Sequence, residues 1–415
     1  MWTTLTEQFL RRVMRKGTLI FHLPDGAVWT FGDGTGDPVT VRISDPDVLR
    51  KAVRSPELAA GEAYMDGTLT IDGDDLHGFL RIAIENLEVH RGPWWDQALR
   101  RLRVLLKRLH QFNPRSRARS NVAHHYDLSA ELYELFLDTD KQYSCAYFAD
   151  PSMTLEEAQA AKKRHIAEKL LIQPGMRVLD IGCGWGGLGM TLARDYGAHV
   201  VGVTLSEEQH KIANERAEAS GLSNMCDFRL TDYRNVDETF DRIVSVGMFE
   251  HVGVPHYGEY FNHVADKLRP DGVALIHTIG RPEPPGSTSP WITKYIFPGG
   301  YAPALSEVMP SIEASGLYQT DIEIWRLHYA ETLRVWLDRF MANWDKAAAL
   351  YDERFCRMWR FYLIASEQTF RHGRQAVFQI QLAHDQSAVP LTRDYLYRGT
   401  VASEHAEEAA RHAAE

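Results

Sequence analysis

A β-prone run that ends in glycines and opens into a helix limits this chain more than any other feature. "RVLDIGCGWGG", residues 177 to 187, carries Gly182, Gly184 and Gly187 in G-x-G-x-x-G spacing, and a helical pattern follows through Tyr196. Glycines at such a strand-to-helix turn let the backbone bend tightly and approach a ligand closely. The rhythm continues with "HVVGVT", a helix from Ser206, "CDFRLTD", "RIVSVGM", a helix near 257–269 and "GVALIHTIG". This alternation predicts an α/β fold with a doubly wound, Rossmann-like, mainly parallel sheet.

The same turn narrows the cofactor. Dinucleotide sites place an acid about 20 residues on, to grip a ribose hydroxyl. Here Thr204 stands at that point, and Glu207 and Glu208 fall in the first turn of the next helix. NAD is therefore disfavoured. Asp180 precedes the glycines as D-x-G-x-G-x-G, a form common among methyltransferases that use S-adenosylmethionine (SAM). Two readings of Asp180 stand: a carboxylate supporting the cofactor, or a cap on nearby N–H groups. Gln209 is also open, as the end of a Ser206–Gln209 capping box or as a partner for the ribose.

Around this core the chain carries additions. Residues 1–85 read as a small α+β unit, expected to be lipid- or membrane-associated, with a helix marked by Trp2, Leu5, Phe9, Leu10 and Val13, a hairpin about Pro24-Asp25-Gly26, and a strand "PVTVRI". Residues 86–120 hold a basic amphipathic segment: from Arg91 to Ser120 there are nine Lys or Arg against Asp96 alone. It is either a packing helix with a solvated basic face or a surface attracted to anionic lipid. The catalytic domain is expected over 121–400, interrupted by an insertion at about 281–320. Its first part, "RPEPPGSTSPWITKYIFPGGYAP", is rich in proline and glycine, as lids often are. A strand "DIEIWRL", two helices over about 329–370 and a strand "AVFQIQLAH" follow, and 401–415 reads as a frayed tail. Net charge −10 disfavours nucleic acid as a partner. The four cysteines form no C-x-x-C pair, no metal site is indicated, and no run is long and apolar enough for a membrane span. A cytoplasmic chain touching the membrane peripherally is the expectation.

Several segments together carry a family resemblance: "HHYDLSAELYELFLD", "YSCAYF", "VLDIGCGWGG", "VGVTLSEEQ", "DRIVSVGMFEHVG", "HTIG", "WITKYIFPGG" and "MWRFYLIA". From about 120 to 395 the chain resembles the cyclopropane-fatty-acyl-phospholipid synthases, and its first 120 residues resemble the extension that mycolic-acid-modifying relatives lack. The resemblance implies a SAM methyltransferase sheet. It implies transfer of the SAM methyl carbon to a cis double bond of an unsaturated phospholipid acyl chain, closing a cyclopropane ring, and weakly a homodimer.

Carried over by position, SAM would be held by Tyr143, Ser144, Asp180, Gly182, Cys183, Gly184, Gly186, Thr204, Leu205, Gln209, Asp232 and Tyr233. A bicarbonate ion, the implied base, would be caged by Cys145, Glu250, His277, the backbone at Ile279, and Tyr329. Each has a plainer reading: a core histidine at 277, a helix cap at 250, helix packing at 329, a small buried hydrophobe at 145. One departure is Ser366, where many members carry cysteine. Trp291, Tyr295, Phe297 and Tyr301 of the insertion would line an acyl tunnel or simply pack. The rival reactions are a methyl or methylene branch on the same double bond, methylation of a small polar amine or hydroxyl, and a non-enzymatic SAM-binding role at the membrane.

Overall fold

The computed structural model describes residues 2–89 and 129–397. The basic segment from Arg91 to Ser120 and the tail at 401–415 lie outside the described residues.

The N-terminal unit begins with α1 (Trp2–Val13) and the hairpin of β1 (Thr18–His22) and β2 (Val28–Gly32). The turn closes where expected: Leu23 N donates to Ala27 O at 2.9 Å, and Gly26 takes φ +84°. β3 (Val39–Ile43), α2 (Asp47–Arg54), α3 (Pro56–Met65), β4 (Leu69–Ile71) and α4 (Leu76–Val89) complete it. The sheet order is β2-β1-β3-β4, with β1 and β3 parallel. Strict alternation in β2, with Trp29 and Phe31 inward, gives the sheet one apolar face. Asn86 on α4 locks the end of α1: its Oδ1 accepts from Arg15 N at 2.7 Å and Lys16 N at 2.9 Å.

The catalytic unit starts with α5 (Ala130–Glu134) and α6 (Leu155–Lys169), the latter opened by a Thr154–Glu157 capping box. Then come β5 (Arg177–Ile181), α7 (Gly187–Tyr196), β6 (His199–Thr204), α8 (Glu207–Ala219), β7 (Cys226–Leu230), β8 (Phe240–Val246), α9 (Tyr257–Lys267) and β9 (Leu268–Gly280). After the insertion, with α10 (Pro290–Tyr295) and α11 (Leu305–Ser315), follow β10 (Tyr318–Trp325), α12 (His328–Ala342), α13 (Trp344–Leu350), α14 (Glu353–His372) and β11 (Ala376–Ala383). The seven-stranded sheet runs β10-β11-β9-β8-β5-β6-β7; β5 to β9 are parallel, and β11 is antiparallel to both its neighbours. The doubly wound α/β expectation holds. The chain winds from β5 out to β7, then returns to β8 on the other side of β5, and that reversal opens a crevice at the carboxyl ends.

Two details differ from the sequence reading. The helical stretch near 329–370 is three helices, because the chain breaks at Asn343 and again at Tyr351-Asp352. The insertion ends in a regular helix, α11, despite Pro310 inside it.

One continuous apolar core joins the N-terminal unit to α12 and α14, from Phe9 and Phe79 through Trp291 to Trp359 and Phe370. Glu62–Lys294 (2.6 Å), Asp66–Arg354 (2.7 Å) and Asp74–Arg360 (2.7 Å) border it. Exposed pairs of this kind contribute little each, so the shared core is what binds the units. At Gly61 the fit is closest: an added Cβ would lie 2.4 Å from the Trp291 ring.

Candidate active site

Two cavities meet at the sheet's carboxyl edge. The first, about 160 Å³, lies over the ends of β5, β6 and β8. Its wall includes Tyr143, Ser144, Asp180, Gly182, Cys183, Gly184, Thr204, Leu205, Gln209, Asp232 and Tyr233. Gly186 is outside that wall. It takes φ +81° ahead of α7, where a Cβ would strike Phe228 at 2.8 Å, so its need for glycine is one of packing. Gly184, by contrast, has φ +53° and nothing within 4 Å of an added Cβ, so a side chain there would enter the cavity.

Asp180 is buried and its Oδ2 has no hydrogen-bond partner. Burial raises its carboxyl to about 7, opposed by nearby Lys162. An orphaned carboxylate oxygen on the wall fits a polar ligand better than it fits a cap. At the next strand end, Ser206 Oγ accepts from Gln209 N at 3.2 Å, the first half of a capping box. The Gln209 side chain does not close the box. Its Oε1 accepts from Thr204 Oγ1 at 2.8 Å, and it lines the cavity. Asp232 is held by Arg234 through two short contacts, 2.6 and 2.8 Å.

Lys162 escaped the sequence reading because "EEAQAAKKRH" resembles a solvated helix face. It is buried on α6, and its Nζ donates to Gln142 Oε1 at 2.9 Å and Ser144 Oγ at 2.8 Å. Burial lowers its pKa to about 8. It thereby fixes the strip that carries Tyr143, Ser144 and Cys145, while Thr332 Oγ1 accepts from Ala146 N at 3.0 Å at the other end.

The second cavity is about 650 Å³. Cys145, Glu250, His277, Ile279 and Tyr329, far apart in sequence, all lie on its wall. Glu250 Oε1 accepts from Ile279 N at 2.7 Å, while Oε2 is buried without a partner. Burial pushes this carboxyl to about 7, against the pull of the Ile279 N–H. His277 is held near 3 by burial and then by Lys162 and Lys169, so its ring is neutral. With Gln379 oriented amide nitrogen toward the ring, Nδ1 accepts at 3.1 Å and the ring proton sits on Nε2. The Cys145 thiol is driven far up by burial and donates to Ala146 O, which leaves no thiolate. His251, lowered to about 4 by burial, was also missed. It lines both cavities, as do Tyr143, Ser144 and Gly247. Of the insertion aromatics, Trp291, Phe297 and Tyr301 line the second cavity. Tyr295 does not: its hydroxyl reaches Glu62 at 2.8 Å across the unit boundary.

Similarity to known proteins gives the family. The mycolic acid cyclopropane synthetase profile matches residues 113–380, and a domain of unknown function matches 5–90. The chain is 42% identical to the cyclopropane-fatty-acyl-phospholipid synthase of Escherichia coli K12 over 345 residues, 83% of this chain and 87% of that one. It is 38% identical to the tuberculostearic acid methyltransferase of Mycobacterium tuberculosis, covering 88% of each. A crystal structure of a mycolic acid cyclopropane synthase complexed with SAH and CTAB superposes with TM-score 0.61 at 36% identity, over 66% of this chain and 99% of that one. The chain therefore belongs to the mycolic acid cyclopropane synthetase family and is an enzyme of its SAM-dependent methyltransferase class.

Proposed function

We propose that this enzyme adds the methyl carbon of SAM to a cis double bond of an unsaturated phospholipid acyl chain and closes a cyclopropane ring. The observation that carries the reading is the junction of the two cavities. A small glycine-floored pocket with an orphaned carboxylate meets a larger, mostly apolar one whose wall holds Glu250, His277 and Tyr329.

Asp180, the 182–184 loop, Gln209 and Asp232 would hold SAM in the first cavity, where it would supply an electrophilic methyl group. The rest is the work of the chain. An alkene is a weak nucleophile with no proton to remove beforehand, so alignment across the shared wall matters most. The deep setting of Cys145, His277 and the Glu250 Oε2 keeps water from competing for an electron-poor carbon. Ring closure needs a proton taken from the new methyl group. Glu250, titrating near 7, and the neutral His277 can share hydrogen bonds with a small anion at the orphaned Oε2. Bicarbonate fits that donor set when Glu250 is protonated, with Tyr329 and Cys145 completing the cage, and it would supply a base there.

A second reading has support of its own. A relative named a probable fatty acid methyltransferase and one named a tuberculostearic acid methyltransferase are 36% and 38% identical over nearly nine-tenths of this chain. The same methylated double bond would then lose a different proton and leave a methyl or methylene branch. The deciding experiment is turnover of unsaturated phospholipid vesicles with methyl-labelled SAM, followed by mass spectrometry before and after mild hydrogenation. A labelled product that takes up no hydrogen supports the ring. Uptake of hydrogen supports the methylene. Label on a headgroup, or no labelled lipid, sinks both.

The proposal includes cytoplasmic, peripheral contact with an anionic membrane through the basic segment at 91–120. No helix of the described residues is long and apolar enough to cross a membrane. Replacing Arg100, Arg101, Arg103, Lys107 and Arg108 by Gln should weaken binding to anionic vesicles and lower its salt sensitivity. Unchanged vesicle binding in a stably folded variant would remove this part of the proposal.

A further inference from the structure

The second cavity does not stop at the catalytic residues. From Glu250 and Tyr329 it continues past Phe361 and Phe370 into the N-terminal unit, where Phe9, Leu19, Phe21, Ile43, Leu80 and Ala83 line it. All but the half-buried Ala83 belong to the buried apolar core, and each also borders the open space of the cavity. Cores otherwise pack to the density of organic crystals. A void that large is unfavourable unless something fills it, and water would need polar partners to stay. This end offers few. Thr6, which also lines it, already gives its hydroxyl to Leu49 O at 2.9 Å. Charged and polar lining is supplied mostly by the catalytic unit, at Arg281, Glu283, Ser289 and Arg374. The occupant of the N-terminal end is therefore hydrocarbon.

Building on the acyl-modifying reading of the site, we infer that the N-terminal unit is a binding chamber for the methyl-terminal segment of the acyl chain beyond the double bond, and that it sets the chain length the enzyme accepts. The methyl end is assigned because the carboxyl end leads to a glycerol ester and an anionic phosphate, and the only charged residue the described N-terminal unit gives the lining is the acidic Glu57, while the cations Arg281 and Arg374 belong to the catalytic unit. With the double bond fixed at the catalytic residues, the length beyond it must fit the space between Tyr329 and Leu19. The solved mycolic acid cyclopropane synthase is matched over 99% of its length by 66% of this chain, so a separate N-terminal chamber is not part of that enzyme.

The test is turnover of dimyristoleoyl, dipalmitoleoyl and dioleoyl phosphatidylglycerol vesicles, which share the double-bond position and differ only in the length beyond it. Ala83→Phe fills the chamber. It should lower the dioleoyl-to-dimyristoleoyl ratio of kcat/KM by at least about fifteenfold, the worth of two methylenes at roughly fourfold each. Ile84→Ala enlarges the chamber and should move the ratio the other way. Ratios within each variant cancel the differences between bilayers, and SAM affinity by calorimetry certifies folding. If both variants bind SAM normally and keep the wild-type ratio, or lose all three substrates in proportion, the inference is overturned. If the wild-type enzyme methylates none of the lipids, the proposed function falls first and this inference with it. If Ala83→Phe does not fold, the Ile84→Ala ratio decides alone.

Discussion

The glycine-floored cavity is made by neighbours in sequence: Asp180 to Trp185, Thr204 to Gln209 and Thr231 to Arg234, each at the end of one strand of a parallel sheet. The apolar cavity gathers Phe9, Cys145, Glu250, Tyr329 and Phe370, which share no strand or helix. The first is shaped by backbone geometry, by the positive φ of Gly182 and Gly184 and the capped start of α8. The second is shaped by how whole layers pack. Binding in the first should therefore respond chiefly to local substitutions and to the residues it shares with the second, while the second should respond to changes anywhere along the seam between the units.

The largest expected break in this comparison is Glu250→Ala. It should cut cyclopropane product formation by roughly 10²–10⁴-fold, the range for a lost acid–base group, and leave the calorimetric Kd for SAM nearly unchanged. A collapse of SAM binding with normal turnover per bound SAM would show that Glu250 serves the other cavity.

A smaller effect lies in pH. Glu250 titrates near 4.5 when unfolded and near 7 in the fold. The folded chain then holds the extra proton between those values, so this group makes stability fall as pH rises from 4.5 to 7, with a constant loss above. Glu250→Gln, which cannot ionise, should be more stable than wild type at alkaline pH by an amount on the order of 3 kcal/mol at most. The difference should vanish in acid. Thermal melts across this range check it, and equal pH profiles would show that Glu250 is not the buried acid described.

Next comes the seam. Gly61→Val drives a side chain into Trp291, an overpacking worth about 1–3 kcal/mol. Melting temperature and lipid turnover should both drop while SAM affinity stays. A parallel loss of SAM binding would mean that strain at the seam reaches the residues the two cavities share.

The smallest effect expected is that of Gly184→Leu, which places a side chain in the first cavity at a positive φ. SAM binding should weaken by about tenfold, near 1.4 kcal/mol, with little change in vesicle binding. An unaltered Kd would remove the loop from the cofactor's seat.

The same contrast explains what could be read in advance. The β5–α7 turn, the alternation of strands and helices, and Asp180, the loop glycines and Gln209 follow from β-prone runs, glycines and caps, which are local signals. Cys145, Glu250, His277 and Tyr329 were placed by resemblance, since no spacing relates them. Lys162 and His251 were not found, because burial is a property of the fold and a lysine pair on a helix reads as solvated. Helix α11 was hidden by Pro310. The helices α2 to α4 were left inside an undivided mixed unit, although they, with β1 and β3, wall the chamber.

Tyr143, Ser144, Gly247 and His251 belong to both cavities, so neither ligand can move this partition unnoticed by the other. Any shift it transmits is a coupling free energy, and such coupling is reciprocal. The factor by which bound lipid alters the affinity for SAM must equal the factor by which SAM alters the affinity for lipid. Among the described residues this partition is four residues wide, and it is the place where an acyl chain in its cavity would change the enzyme's grip on the methyl donor.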